Sequence, residues 1–200
     1  MNALLTVAYL CTRVKAPTTD DGVKLTRLIK FLNESVDNVL VLRPRADMLL
    51  GGYIDASWGC HHDGKGHNGL VVTLGGCNVL SMSSKQKLCT RDSTESELVA
   101  LSDKMMNVLH CHDFLIEQGQ VCDVPVILQH NTSTITLVTK GGGQYRTKYM
   151  RARQAFVKER VDAGEVVIQY LPMGRMLADI LTTALQGAVF LYLARRITGQ

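Results

Sequence analysis

Three carboxylates that are far apart in the chain stand where they could share divalent cations. Asp55 lies in a predicted strand, Glu97 in the first turns of a predicted long helix, and Asp179 in a helix after the last predicted strand. In a mixed α/β sheet, strand residues and helix starts can converge at one end of the sheet. Oxygen ligands suit Mg²⁺ or Mn²⁺, and two such ions about 4 Å apart can support phosphodiester cleavage.

Each of these carboxylates also has an ordinary structural explanation. A strand aspartate often makes a turn hydrogen bond, and Glu97 is a favourable negative charge near a helix N-terminus. Because a shared site requires mutual geometry that spacing does not supply, the residues alone leave both interpretations open.

Hydrophobic periodicity predicts a five-stranded mixed α/β sheet flanked by helices, in which a three-strand antiparallel meander precedes two crossover strands. The predicted strands lie at 51–58, 70–74, 79–84, 124–128 and 166–171. The predicted helices that follow the meander lie at 95–118, 132–139, 145–163, 173–185 and 188–197. Residues 1–45 are predicted to be largely helical, with a short strand at 38–42 and too little sequence for an independent domain.

The amino-acid composition limits the classes of protein to which this chain can belong. The 200 residues are 46% hydrophobic and 20% charged, which excludes collagen, a charged tail and a wholly disordered chain. The net charge of +4 permits nucleic-acid binding without implying it. We expect an intracellular protein, cytoplasmic or nuclear, with no membrane partner, because the six cysteines show no CxxC spacing and no apolar run reaches membrane length.

Two histidine-rich stretches are candidate metal sites on composition alone. If residues 110–112 are helical, their successive side chains point about 100° apart and cannot share one ion. The stretch 60–67 matches no usual closed ligand spacing, and it is predicted to be a surface loop near the substrate, within a longer loop over 59–69.

Four motifs in consistent order carry a family resemblance. Residues 53–58, 84–87, 93–102 and 177–182 resemble the RNase H domain of copia-type retrotransposon polyproteins, and the similarity runs from about 51 to 185. Residues 10–18 are similar to the segment that joins reverse transcriptase to RNase H. The resemblance implies a reverse transcriptase connection tail over 1–48, an RNase H-like domain over 49–186 and a C-terminal helix over 187–200.

The resemblance implies hydrolysis of the RNA strand of an RNA–DNA hybrid by four carboxylates and two Mg²⁺ or Mn²⁺ ions. Asp55, Glu97 and Asp179 match three of those carboxylates; Glu97 is preferred to Glu95 because a large residue follows it. His130 replaces the fourth, an aspartate. A neutral imidazole supplies no negative charge, so Mg²⁺ binding should weaken.

Three hypotheses follow. The first is a truncated, degenerate RNase H copy with impaired activity, whose partners are the hybrid and the parent reverse transcriptase domain. The second is a catalytically dead nucleic-acid-binding relic of the same fold. The third is a protein-interaction module that uses apolar surface left by the first 45 residues.

Basic residues are concentrated where a hybrid backbone could lie. On a helix, residues seven apart are nearly aligned, so a phosphate-binding strip and a merely solvated face both remain open. The predicted nucleic-acid-binding residues are Lys85, Lys87, Arg146, Lys148, Arg151, Arg153, Lys158 and Arg160.

Overall fold

A five-stranded mixed sheet forms the centre of the computed structural model, which describes residues 3–142, 145 and 147–200. The strand order is β3-β2-β1-β4-β5; β1 to β3 are antiparallel neighbours, and β4 and β5 run parallel to β1. This architecture confirms the predicted fold class. The strands are β1 Leu50–Ser57, β2 Lys65–Leu74, β3 Cys77–Cys89, β4 Val126–Gln129 and β5 Val167–Tyr170.

In the described part of the chain, six α-helices and two short 3₁₀ turns surround the sheet. The helices are α1 Leu4–Cys11, α2 Thr19–Glu34, α3 Ser93–Glu117, α4 Thr132–Thr139, α5 Lys148–Asp162 and α6 Gly187–Thr198. The 3₁₀ turns are Met173–Arg175 and Leu177–Leu181, and the second is called the Asp179 turn below. Asp92 and Asn131 accept backbone hydrogen bonds at the starts of α3 and α4, as N-cap side chains do.

Alternation along β1 divides the core into two layers. Leu50 and Ile54 belong to the layer that contains the buried side of α3. On the opposite face, Tyr53 packs beside the Asp179 turn and the buried residues of α6. Since successive strand side chains point to opposite faces, Asp55 projects on the same side as Tyr53, towards the Asp179 turn.

The structure differs from the predicted elements in four places. β2 begins at Lys65 and β3 extends to Cys89, so residues 65–69 of the predicted loop over 59–69 belong to a strand. Polar residues in these extensions pair with the neighbouring strand because that strand is long. This is a tertiary effect, which local hydropathy does not reveal. Residues 38–42 form no strand, and the helix predicted over 173–185 is two 3₁₀ turns.

Residues 3–45 contact the sheet layer through α1 and through the segment after α2. α1 contacts β3 and the Asp179 turn. The amide of Val41 donates to the carbonyl of Thr198 at 2.8 Å, and the Gln200 side chain donates to the carbonyl of Val39 at 2.9 Å. These two hydrogen bonds join the segment after α2 to the end of α6. The division into units at 48/49 and 186/187 stays a prediction.

Within the described ranges, no helix combines the length and apolar character needed to cross a bilayer.

Gly69 makes room for the Asp179 turn. It pairs with Asp55 across β1 and β2. A Cβ atom built at Gly69 would lie 2.9 Å from the carbonyl oxygen of Ala178 and 2.7 Å from Cγ2 of Thr182. The close approach of the turn to β2 therefore depends on the missing side chain.

We predict that Gly69→Ala destabilises the protein by about 1–3 kcal/mol, the usual cost of overpacking a well-packed contact. Urea denaturation measures this change. Gly22→Ala is the matched control: nothing lies within 4 Å of an added Cβ there, and alanine in a helix is favoured by about 1 kcal/mol. Equal stability of the Gly69→Ala protein and the unmodified protein would contradict the packing argument.

Candidate functional site

Asp55 is the centre of the candidate site and is 3% exposed. The hydroxyl of Thr182, which follows the Asp179 turn, donates a hydrogen bond to its Oδ2. Parallel pairing of β1 with β4 ends at Tyr53 opposite Leu128. Extending that register by two residues sets His130 beside Asp55.

Glu97 reaches the cluster from the first turns of α3 and is 2% exposed. The side-chain amide of Gln129 donates to its Oε2 at 3.1 Å. Glu95 is turned to a different partner, since its carboxylate accepts bonds from the Arg91 side chain at 2.5 and 3.0 Å. The geometry therefore places Glu97, and not Glu95, in the cluster.

His130 lies between two of the carboxylates. Its Nδ1 is 3.1 Å from Oδ1 of Asp55, and its Nε2 is 3.5 Å from Oε1 of Glu97. Ligand atoms of Asp55, His130 and Asp179 all lie within 4.8 Å of one another. The structure thus brings all four sequence-predicted site residues together.

Burial and charge shift the ionisation of this cluster. Burial, assisted by the charge of Asp55, raises the pKa of Glu97 to about 8. Burial and Asp55 likewise raise the pKa of Asp179 to about 7. The adjacent Asp55 carboxylate, with further help from Glu97 and Asp179, raises the pKa of His130 to about 9. At neutral pH the imidazole is therefore a cation among acidic groups.

The donor set does not fit a pair of Mg²⁺ ions. Three side chains lie within reach of one ion, and one of them is an imidazole. Mg²⁺ prefers oxygen ligands in near-octahedral geometry, and imidazole is better suited to Zn²⁺ and related ions. Protonated, His130 supplies no ligand and places positive charge between Asp55 and Glu97.

Sequence reasoning missed two supporting residues. Thr182 orients Asp55, and it lies inside the last of the four sequence motifs. Gln129, which is fully buried, donates to Glu97 and accepts the amides of His130 and Asn131 at 2.7 and 2.9 Å. The sequence feature that could have identified Gln129 was its position directly before His130.

The predicted surface loop contains buried histidines, which corrects that prediction. His61 and His67 are 6% and 1% exposed, and the ring of Tyr9 stacks on His61. His67 lies within β2, because the strand begins at Lys65.

These histidines form a directed hydrogen-bond chain to the Asp179 turn. The hydroxyl of Ser83 donates to the carbonyl of Leu181 at 2.7 Å, since a carbonyl can only accept. His67 Nε2–H therefore donates to Ser83 Oγ at 2.7 Å, and its Nδ1 accepts from His61 Nε2–H at 3.0 Å. His67 is neutral in this arrangement because its Nδ1 accepts, and burial lowers the pKa of His61. The chain anchors the backbone that carries Asp179.

The basic residues predicted to bind nucleic acid fall into two groups, and that role stays a prediction. Four form ion pairs: Lys85 with Asp63, Arg153 with Asp103, Lys158 with Asp162, and Arg160 with Glu165. The exposed residues Lys87, Lys148 and Arg151 have no ion pair with any described residue. Arg146 lies outside the described residues.

We predict that His67 makes stability fall on mild acidification. Burial lowers its pKa from 6.5 to about 4, so its contribution is complete above pH 6.5 and is lost as pH falls towards 4. By pH 5 the loss is about 2 kcal/mol. Urea denaturation at pH 7 and pH 5 should show a smaller loss in His67→Gln, which cannot titrate.

The control is His110→Gln, which removes an exposed histidine of α3. Glu97 and Asp179 act in the opposite direction, because their raised pKa values add stability on acidification, but they are present in every protein compared. An unchanged pH dependence in His67→Gln would exclude the neutral histidine chain.

The chain is similar in sequence to transposon polyproteins. It is 28% identical over 183 residues, 90% of its length, to the retrovirus-related Pol polyprotein from transposon RE2 of Arabidopsis thaliana. It is 27% identical over the same length to the corresponding polyprotein from transposon RE1 of that plant. The matched region makes up only 13% and 12% of those polyproteins. No protein-family model matches the chain.

A solved structure shows the same fold. LC11-RNase H1, isolated from compost by a metagenomic approach, superimposes with a TM-score of 0.53 at 15% sequence identity. The match covers 68% of this chain and 93% of that one. These comparisons confirm the resemblance to copia-type polyproteins and the RNase H-like fold.

Proposed function

Starting from a chain whose homologues are copia-type Pol polyproteins and whose fold is RNase H-like, we propose a retrotransposon-derived RNase H domain with impaired cleavage. Its substrate in this proposal is the RNA strand of an RNA–DNA hybrid. The observation that carries the proposal is the position of His130 between Asp55 and Glu97.

Impairment follows from what His130 does to the carboxylates. Two-metal cleavage uses divalent ions to stabilise the attacking and leaving oxygens of the phosphodiester. Here the imidazolium lies against Asp55, and Gln129 binds an oxygen of Glu97. Both contacts compete with metal ligation, and the fourth carboxylate is missing. We therefore propose weak binding of Mg²⁺ or Mn²⁺ through Asp55, Glu97 and Asp179.

Recognition of the hybrid in this proposal depends on exposed positive charge. Lys148 and Arg151 on α5, and Lys87 on β3, carry charges that no described carboxylate neutralises. Arginine and lysine contacts to phosphates position a duplex without reading its bases, and 2′-hydroxyl groups distinguish RNA from DNA. The ion-paired residues Lys158 and Arg160 are secondary candidates, because partly exposed ion pairs are weak. Arg153 is also secondary, since its largely buried side chain is held by Asp103.

The protein partner and the cellular compartment are also proposals. The apolar side chains of Val23, Leu25, Ile29 and Leu32 on α2 are about half exposed, and we propose the parent reverse transcriptase domain as the partner that covers them. Six free cysteines accord with a reducing compartment, the cytoplasm or nucleus.

A second candidate function is a nucleic-acid-binding relic with no cleavage. The same His130 contacts favour it. His130 occupies the space between Asp55 and Glu97, and the residues proposed to bind the hybrid lie elsewhere and are not changed by it. The two candidates differ only in whether restoring a carboxylate restores chemistry.

We predict that His130→Asp raises cleavage of the RNA strand of a labelled hybrid in Mg²⁺ by about tenfold or more, equal to about 1.4 kcal/mol of activation barrier. The substitution removes the internal cation and adds an oxygen ligand. His130→Asn is the matched control: it removes the charge but adds no carboxylate, and it should stay near the unmodified rate.

The outcomes separate the candidates. Hybrid binding by both proteins without cleavage by either supports the relic. Equal, rapid cleavage by the unmodified protein and His130→Asp would show that His130 causes no impairment.

We predict that Arg151→Gln weakens hybrid binding and lowers the slope of log affinity against log salt by about 0.9, the value for one phosphate contact on a duplex. Fluorescence anisotropy over a salt series measures it. Lys30→Gln, which removes an exposed charge from α2, should leave the slope unchanged. A slope that responds equally to both substitutions would rule out a specific contact at Arg151.

A further inference from the structure

An open cavity of about 440 Å³ lies at the opposite end of β1 from Asp55. Gly51 and Tyr53 form part of its floor, the segment after α2 forms one wall, and the C-terminal end of α6 forms the other. Gly51 is four residues before Asp55, which corresponds to about 13 Å along a strand. Leu177 of the Asp179 turn also lines the cavity, whereas Asp55, Glu97, His130 and Asp179 are not among its lining residues.

Four arginines line this cavity, which is called the arginine cavity below. Arg43 and Arg45 come from the wall after α2, and Arg195 and Arg196 come from α6. No aspartate or glutamate among the described residues lines it. Arg45 pairs with Asp47 at 3.2 Å, whereas the other three form no ion pair with the described part of the chain.

Hydrogen bonds between the cavity walls connect the segments that carry the two arginine pairs. The bond from Val41 to Thr198 and the bond from Gln200 to Val39 fasten one wall to the other. The amide of Arg45 also donates to the carbonyl of Gly75 at 2.8 Å, which ties that wall to the β2–β3 turn. The backbone therefore holds four arginines around one cavity, and three of them form no ion pair with the described residues. Repulsion disfavours such an arrangement, and a bound anion would relieve it.

The arginine charges of both walls affect the Tyr53 hydroxyl of the cavity floor. Burial raises the pKa of the Tyr53 hydroxyl, and the charges of Arg196 and Arg45 lower it. Both arginines line the cavity together with Tyr53, one from each wall. Arg195 and Arg196 also favour the C-terminal turn of α6, as basic residues do there, but Arg43 and Arg45 lie on no helix.

We propose that the arginine cavity is a metal-independent site for the phosphate groups of a nucleotide. Guanidinium groups bind phosphate oxygens through paired, charge-assisted hydrogen bonds. The Tyr53 ring and the Gln169 amide, which also line the cavity, offer a surface for stacking and a polar contact to a base. The cavity volume is in the range of sites for small organic ligands. This proposal does not depend on hybrid cleavage.

The test is calorimetric titration of sodium pyrophosphate into the full chain after metal removal. Saturable binding with one site per chain is expected, and Arg43→Gln and Arg196→Gln should each weaken it by about tenfold. Arg27→Gln removes an exposed charge from α2 and should change affinity less than about twofold, within the range of non-specific charge effects. Absent saturation, or equal weakening by all three substitutions, would overturn the site.

Competition identifies the source of the phosphate. Displacement of pyrophosphate by ATP supports a free nucleotide, and displacement by a 5′-phosphorylated thymidine oligonucleotide but not ATP supports the end of a strand. Displacement by neither would overturn the nucleotide assignment. Hybrid binding and cleavage by the same variants report separately on the carboxylate site, since none of the substituted residues belongs to it.

Discussion

Compensation of buried negative charge is the constraint on which the candidate site depends. Asp55, Glu97 and Asp179 meet in a largely buried corner of the sheet, where carboxylates repel one another and lose hydration. In this chain a protein side chain, His130, supplies the opposing charge. The neighbouring Gln129 and Thr182 donate neutral hydrogen bonds to Oε2 of Glu97 and Oδ2 of Asp55. Part of the compensation therefore comes from within the polypeptide.

The positions of the carboxylates and His130 are set by backbone geometry and not by flexible side chains. Parallel pairing of β1 and β4 sets His130 beside Asp55. The absent side chain of Gly69 allows the Asp179 turn to approach β2, and the His67–Ser83 chain holds the carbonyl of Leu181 in that turn. A short 3₁₀ turn has few hydrogen bonds of its own, so these external contacts fix its position.

Much of this arrangement could be predicted from sequence because it follows local patterns. α4 begins and ends at the predicted residues, since Asn131 caps it and its helix-period pattern is uninterrupted. The convergence of Asp55, Glu97, His130 and Asp179 followed from motif order. The strand extensions of β2 and β3, the burial of His61 and His67, and the ion pair of Arg153 with Asp103 were not predictable in this way. Each depends on a partner distant in sequence.

The hydrogen bond between Val41 and Thr198 has a topological consequence. It brings the beginning of the sheet-bearing region next to its end, so a short Gly/Ser linker could join residues near 39 and 200. New termini would then open between α3 and β4, where Val121 is 98% exposed. Exposed connections of this kind tolerate circular permutation. The strand order is thus compatible with such a rearranged chain, which would lack the contacts that α1 makes with β3 and the Asp179 turn.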